Sequence, residues 1–177
     1  MTACASRPPR FGWLLLACPL FLLFRGLAAF GLFNNVEGIC AEIAREMLAG
    51  GHWVIPSLND VPYIEKPPLV YWLGALSMAL FGTNDWAIRL VPVAAGLLLL
   101  GMVGWFAWRM KGARYALFAV FILGTSTGFL IMWRDTRPDA LLTTFIYAPW
   151  LMTYQGLVSR RRIQMIAAAI CLLPPTL

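Results

Sequence analysis

Charge is what this sequence has least of. Only 12% of its 177 residues are charged, against 60% hydrophobic and a mean hydropathy of +0.73, which leaves too little polar surface to wrap a water-soluble globule of that size. Histidine occurs once, at His52, which excludes a His-rich metal site and leaves His52 as a solvated loop residue. The four cysteines, Cys4, Cys18, Cys40 and Cys171, show no C-x-x-C spacing, and Cys18 and Cys171 lie inside apolar tracts. Neither a disulfide framework nor a thiolate metal site is implied. Acids are scarce too, eight against 14 Lys+Arg, for a net charge of +6. The basic residues flank long apolar tracts, a pattern that reports orientation in a bilayer rather than a nucleic-acid partner. The chain reads as an all-α, polytopic, integral membrane protein.

What the sequence does have is a succession of apolar tracts. Residues 11–33, broken only by Arg25, are long enough at ~1.5 Å per residue to cross a ~30 Å hydrocarbon core. A cleaved signal peptide ending near Gly26 and Ala28 is the alternative, opposed by the continuation of the tract past Arg25. An arginine in mid-span costs roughly 2.5–3.5 kcal/mol on insertion scales, so Arg25 is expected to face protein or the outer interface. Further spans are expected at about 89–108, 115–133 and 140–157, with a partial one at 163–173 that reaches Pro174-Pro175 after 11 residues. Residues 1–177 are read as a single membrane domain with an apparent truncation after 177.

Between the first and second of these spans lies a loop, 34–88, with two expected surface helices at 37–49 and 69–81. Asn34-x-x-Glu37 has the form of a capping box. Ile39, Cys40, Ile43, Ala44, Met47 and Leu48 recur at helical spacing on one face, Glu42, Arg45 and Glu46 share the other, and Gly50-Gly51 supplies the stop. Such a helix fits the membrane surface better than a span. Pro56, Pro62, Pro67 and Pro68 then keep the chain extended. The 13 apolar residues of 69–81 fall short of spanning length.

Keeping 69–81 on the outer surface places Arg7, Arg10, Arg109, Lys111, Arg114 and Arg160-Arg161-Arg162 inside and all eight acids outside, as the positive-inside rule prefers. The N-terminus is therefore expected in the cytoplasm. This topology brings Glu37, Glu65, Lys66, Arg134, Asp135, Arg137 and Asp139 to one membrane face. A carboxylate there can take a proton from an acceptor hydroxyl while cations stabilise a departing phosphate, chemistry suited to an anionic lipid headgroup. The plainer reading makes Arg134 and Arg137 interfacial anchors, lets Lys66 snorkel and leaves the acids solvated.

The strings Ala41-Glu42-Ile43-Ala44-Arg45-Glu46-Met47-Leu48, Trp53-Val54-Ile55-Pro56 and Tyr63-Ile64-Glu65-Lys66-Pro67-Pro68 resemble the first outer loop of bacterial membrane glycosyltransferases of the GT-C fold. The superfamily is that of the aminoarabinose transferases and protein O-mannosyltransferases, glycosyltransferase family 39-like, and the resemblance covers nearly the whole chain. It implies sugar transfer from a polyprenyl-phosphate donor to a lipid (lipid A-like) or protein acceptor at the periplasmic face of the bacterial inner membrane. It also implies residue roles. Such enzymes open the first surface helix with Asp-Glu-x-x-Tyr; here Glu37 matches, while Val36 and Cys40 stand where the Asp and the Tyr would be. The resemblance makes Glu37 and Asp139 the catalytic carboxylates, Lys66 the residue that meets the donor phosphate, and Glu65 a ligand for a possible divalent metal ion, with no other cofactor; Arg134 and Arg137, from the shared face, and Tyr63 join Lys66 as expected substrate-binding residues. The alternative is a non-catalytic fragment or paralogue that binds a polyprenyl-phosphate lipid or a membrane partner. A transporter is opposed by the single intramembrane charge, Arg25, and the lack of paired broken helices.

Overall fold

The structure, a computed structural model, describes residues 12–25, 27 and 35–159. Expectations that fall on Arg7, Arg10, Asn34, the arginines at 160–162 and the tract from 163 lie outside the described residues. Within them the fold is helical: α1 (Gly12–Phe24), α2 (Asn35–Gly50), α3 (Leu69–Phe81), α4 (Asp85–Lys111), α5 (Ala113–Thr125), α6 (Thr127–Met132) and α7 (Pro138–Ser159), with one small hairpin between α2 and α3.

The axis of the assembly is α4. Its 27 residues run for about 40 Å at ~1.5 Å per residue, and among the described residues it is the one helix long and apolar enough to cross a membrane. Asp85 lies in its first turn and Arg109 and Lys111 in its last, each complementing the helix dipole. Against it pack α3, α5 and α7; α2 packs on α3, and α1 on α5. Small residues set these approaches, as expected where helices associate by close van der Waals contact. A Cβ on Gly96 of α4 would lie 2.7 Å from the Trp133 ring, and one on Gly124 of α5 would lie 2.5 Å from Pro19 of α1.

The expected tract 115–133 consists of two helices. Ser126 interrupts the ladder with extended backbone (φ −67°, ψ 136°). Its hydroxyl donates to the Leu123 carbonyl at 2.8 Å and lies 3.4 Å from the Phe129 amide, capping α6. Thr125 adds a second side-chain partner, its hydroxyl donating to the Phe121 carbonyl at 2.6 Å.

The proline-punctuated run, expected to be extended, folds into a hairpin of β1 (Ser57–Leu58) and β2 (Val61–Pro62), antiparallel in the register Ser57↔Pro62 and Leu58↔Val61. Asn59 and Asp60 turn the corner with φ of 53° and 62°, the pair of left-handed residues that a two-residue type I′ turn requires and that Asn and Asp tolerate. Glu46 of α2 anchors it, accepting from the Ser57 hydroxyl at 2.8 Å and from the Asn59 amide at 2.7 Å. Hydrogen bonds to a charged group contribute roughly 1.5–3 kcal/mol. Glu46→Ala is therefore expected to speed amide exchange across residues 57–62 by ~10- to 100-fold while leaving α4 unchanged. Unaltered exchange at Asn59 would show that the turn holds itself without the helix.

Candidate functional site

The site grows from the N-terminal end of α2 and the chain that follows the hairpin. Glu37, in the first turn of α2, is 4% exposed, and Arg89, on the second turn of α4, is 7% exposed. They form a two-pronged ion pair, Arg89 Nε to Glu37 Oε1 at 2.7 Å and Nη2 to Oε2 at 3.0 Å. The Arg89 Nη1 donates to the Leu27 carbonyl at 2.9 Å, so one guanidinium joins α2, α4 and the chain that leaves α1. Both oxygens of the expected catalytic acid are thus engaged. Removing either partner of such a buried pair leaves the other charge uncompensated and costs ~3–5 kcal/mol.

Next along α2, Cys40 is buried at 2% exposure. Burial pushes its thiol up to about 11; the Lys66 ammonium pulls it back, and the carboxylates of Asp135 and Glu37 push it further up. Lys66, Asp135 and Glu37 thus all act on one neutral sulfur. Tyr63 lies edge-on to Tyr71, ring centroids 6.4 Å apart at 79°, and donates its hydroxyl to Glu65 Oε2 at 2.9 Å. That hydrogen bond holds the Tyr63 phenol above its usual range. Tyr71, in the first turn of α3, is fully buried, and its hydroxyl finds no hydrogen-bond partner among the described residues.

The remaining expected residues divide. Arg137 Nε bonds Asp135 Oδ2 at 2.7 Å, and Arg134 donates to the backbone carbonyl of Arg25, so this segment too is stitched to the chain after α1. Asp139 is exposed in the first turn of α7. Glu65 is exposed with Tyr63 as its partner, and among the described residues no group of three His, Cys, Asp or Glu side chains converges to hold a metal ion.

Two participants escaped sequence reasoning. Arg89 sits at the edge of an apolar tract and looks like its boundary; a lone cation beside a span, with an acid in the first turn of α2, was the available signal. Tyr71 sits in an apolar run where an aromatic is ordinarily core.

Beside this cluster, but separate from it, an apolar cavity of about 360 Å³ opens between α3, α4 and α7, lined by Leu76, Leu80, Leu90, Leu98, Leu141 and Phe145 among others. Its polar liners are already satisfied, Ser77 donating to the Ala87 carbonyl and Thr144 to those of Ala95 and Ala140, so it offers a hydrocarbon surface.

Residues 65–173 match the family described as dolichyl-phosphate-mannose-protein mannosyltransferase. The undecaprenyl phosphate-alpha-4-amino-4-deoxy-L-arabinose arabinosyl transferase of Shewanella sediminis is 36% identical over 73% of this chain and 26% of its own length. The protein of the same description from Enterobacter sp. is 44% identical over 70% of this chain and 18% of its own length. Among solved structures, ArnT from Cupriavidus metallidurans bound to undecaprenyl phosphate aligns with a TM-score of 0.83 at 31% identity, over 92% of this chain and 31% of that one. Its apo state gives 0.77. The chain spans about a quarter of the length of the curated relatives it matches.

The cluster is open to a chemical test, because alkylation follows the thiolate. At about 11, Cys40 carries on the order of 100-fold less thiolate near pH 8 than an unperturbed cysteine. Lys66→Ala removes the one influence that lowers the thiol and should slow its alkylation further; Asp135→Asn removes one that raises it and should quicken it. Iodoacetamide labelling of Cys40, read by peptide mass spectrometry, checks both signs, and rates unmoved by either change would separate the three residues.

Proposed function

The chain belongs to the dolichyl-phosphate-mannose-protein mannosyltransferase family, and from that premise we propose that it supplies the donor-phosphate end of a membrane glycosyltransferase using a polyprenyl-phosphate sugar. The observation that carries this reading is Lys66: a half-buried ammonium that follows Glu65 directly, sharing its surroundings with Cys40, whose thiol burial keeps neutral. In the transfer, the bond between the sugar's anomeric carbon and the phosphate oxygen breaks and the phosphate departs with the electron pair. Lys66 meets that charge, and Arg134 and Arg137, distant in sequence, are assigned to the same membrane face. The acceptor oxygen bonds the anomeric carbon and its proton passes to a carboxylate, Asp139 on the exposed turn of α7 or Asp135 beside it. Glu37 serves this centre by fixing α2 through Arg89. No step is routed through a metal ion.

The relatives' names give the donor class this reading adopts, an undecaprenyl phosphate carrying an amino-deoxy pentose, and a lipid of the lipid A kind as acceptor accords with it. The apolar cavity between α3, α4 and α7 is compatible with a long hydrocarbon tail. The orientation follows the basic residues, with the N-terminus cytoplasmic and the reacting face periplasmic. A second reading, lipid binding without transfer, is favoured by Val36 and Cys40 at the two positions where the family motif carries Asp and Tyr, and by the engagement of Glu37 with Arg89. Transfer of a labelled sugar from an undecaprenyl-phosphate donor to a lipid A acceptor decides between the two.

Binding tests the first reading directly. Lys66→Ala should weaken binding of an undecaprenyl-phosphate sugar by ~10- to 150-fold, the scale of one charged hydrogen bond to phosphate. Arg45→Ala, which removes an exposed cation already paired with Glu42, should change it little. Equal small losses would leave Lys66 as an interfacial anchor.

Orientation is tested separately. Cysteines introduced at Ser57 and Thr83 in a cysteine-free background should both react with an impermeant maleimide added to intact spheroplasts. Labelling of Thr83 only after permeabilisation would make α3 a crossing segment.

A further inference from the structure

The end of α4 opposite to the site carries a second charged feature that sugar transfer does not use. A one-residue turn at Gly112 (φ 95°) folds α5 back along α4, with Gly104 and Val120 meeting across the pair. Three cations, Arg109, Lys111 and Arg114, crowd this turn, and all are exposed. Among the described residues none of them forms an ion pair; α4 puts its own acid, Asp85, at the far end of the helix, about 40 Å away.

Among the described residues, Arg109 and Lys111 each lie against an aromatic face. The Arg109 guanidinium lies 5.9 Å from the centroid of the Trp105 ring and the Lys111 ammonium 5.5 Å from that of Tyr115. A ring face accepts charge but provides no lone pair, so the N–H donors remain available. Trp105, Trp108 and Tyr115 are themselves exposed, and amphipathic rings of this kind settle at headgroup depth in a bilayer. The turn therefore presents cations at the level where rings meet headgroups, with no carboxylate among the described residues paired with them.

We propose that the α4–α5 turn is a binding site for anionic phospholipid headgroups, with Arg109, Lys111 and Arg114 as phosphate donors and Trp105 and Tyr115 as the platforms that hold two of them in place. Charge complementarity selects an anionic headgroup over a zwitterionic one, in which the choline cation would face three protein cations. Each basic residue close to an anionic surface strengthens association by about 5-fold, an effect screened over a Debye length of ~8 Å at physiological salt. This inference is independent of the sugar-transfer reading and survives its failure.

The test uses the purified protein in vesicles that contain brominated phosphatidylglycerol in unlabelled phosphatidylcholine, or the reverse. Trp105 and Trp108 report the local lipid; the quenching that disappears in W105F/W108F belongs to this turn. The expected result is stronger quenching at the turn by the brominated phosphatidylglycerol, lost in steps of about 5-fold as charges are removed towards R109Q/K111Q/R114Q. The charge-preserving R109K/K111R/R114K should retain the preference, and in the unsubstituted protein it should fade as salt rises to ~1 M. Equal quenching by the two lipids, a preference that persists in W105F/W108F, or one that outlasts the removal of all three charges would overturn the proposal. The salt titration reads the same interaction without any substitution at all.

Discussion

A single buried ion pair holds the functional end of this fold together. Arg89 reaches Glu37 with two nitrogens and the Leu27 carbonyl with a third, so three segments distant in the chain are referred to one planar group. A guanidinium suits this task because its donors form a rigid fork that fixes direction as well as distance. Taking two charges out of water is expensive, and the pair offsets that cost only while its geometry is kept. The loop between α2 and α3 is positioned relative to that frame: Glu46 carries the hairpin, and the hairpin delivers Tyr63, Glu65 and Lys66 to the start of α3.

The electrostatics around Lys66 follow from the packing. Cys40 occupies a buried position on α2 whose surroundings suppress ionisation of its thiol, so the lysine has no thiolate neighbour to pair with. Glu65 is turned to the Tyr63 hydroxyl, Asp135 to Arg137, and Glu37 to Arg89. Each of the three acids thus has a protein partner, and none of these three contacts is with Lys66.

Much of this was legible in the residues. Scarce charge and long apolar tracts announce a helical membrane protein, and the strings through Glu65-Lys66-Pro67-Pro68 announce the family. α3 runs over the residues expected of it, and α4 and α7 enclose the expected tracts at 89–108 and 140–157. What escaped was tertiary. The value of Arg89 depends on an acid 52 positions earlier in the chain, a separation that no periodicity encodes. Arg25 and Leu27 matter through their backbone carbonyls, which carry no residue-specific signature. The hairpin was hidden by its prolines, although Asn59-Asp60 supplied the turn chemistry. The break at Ser126 was written as three consecutive hydroxyl residues inside an apolar run, easily absorbed into a span when only mean hydropathy is weighed.

That break carries its own hydrogen-bond partners. Interrupted backbone at bilayer depth needs protein or water against it, because acyl chains provide no hydrogen bonds. Ser126, Thr127 and Gly128 are exposed in this chain, with Phe129 and Trp133 stacked on the inner side of the same short helix at 4.6 Å. The outward side of α6 therefore brings its own partners: the Ser126 hydroxyl reaches the Leu123 carbonyl and the Thr125 hydroxyl the Phe121 carbonyl, so the chain bends here without borrowing a donor from its surroundings.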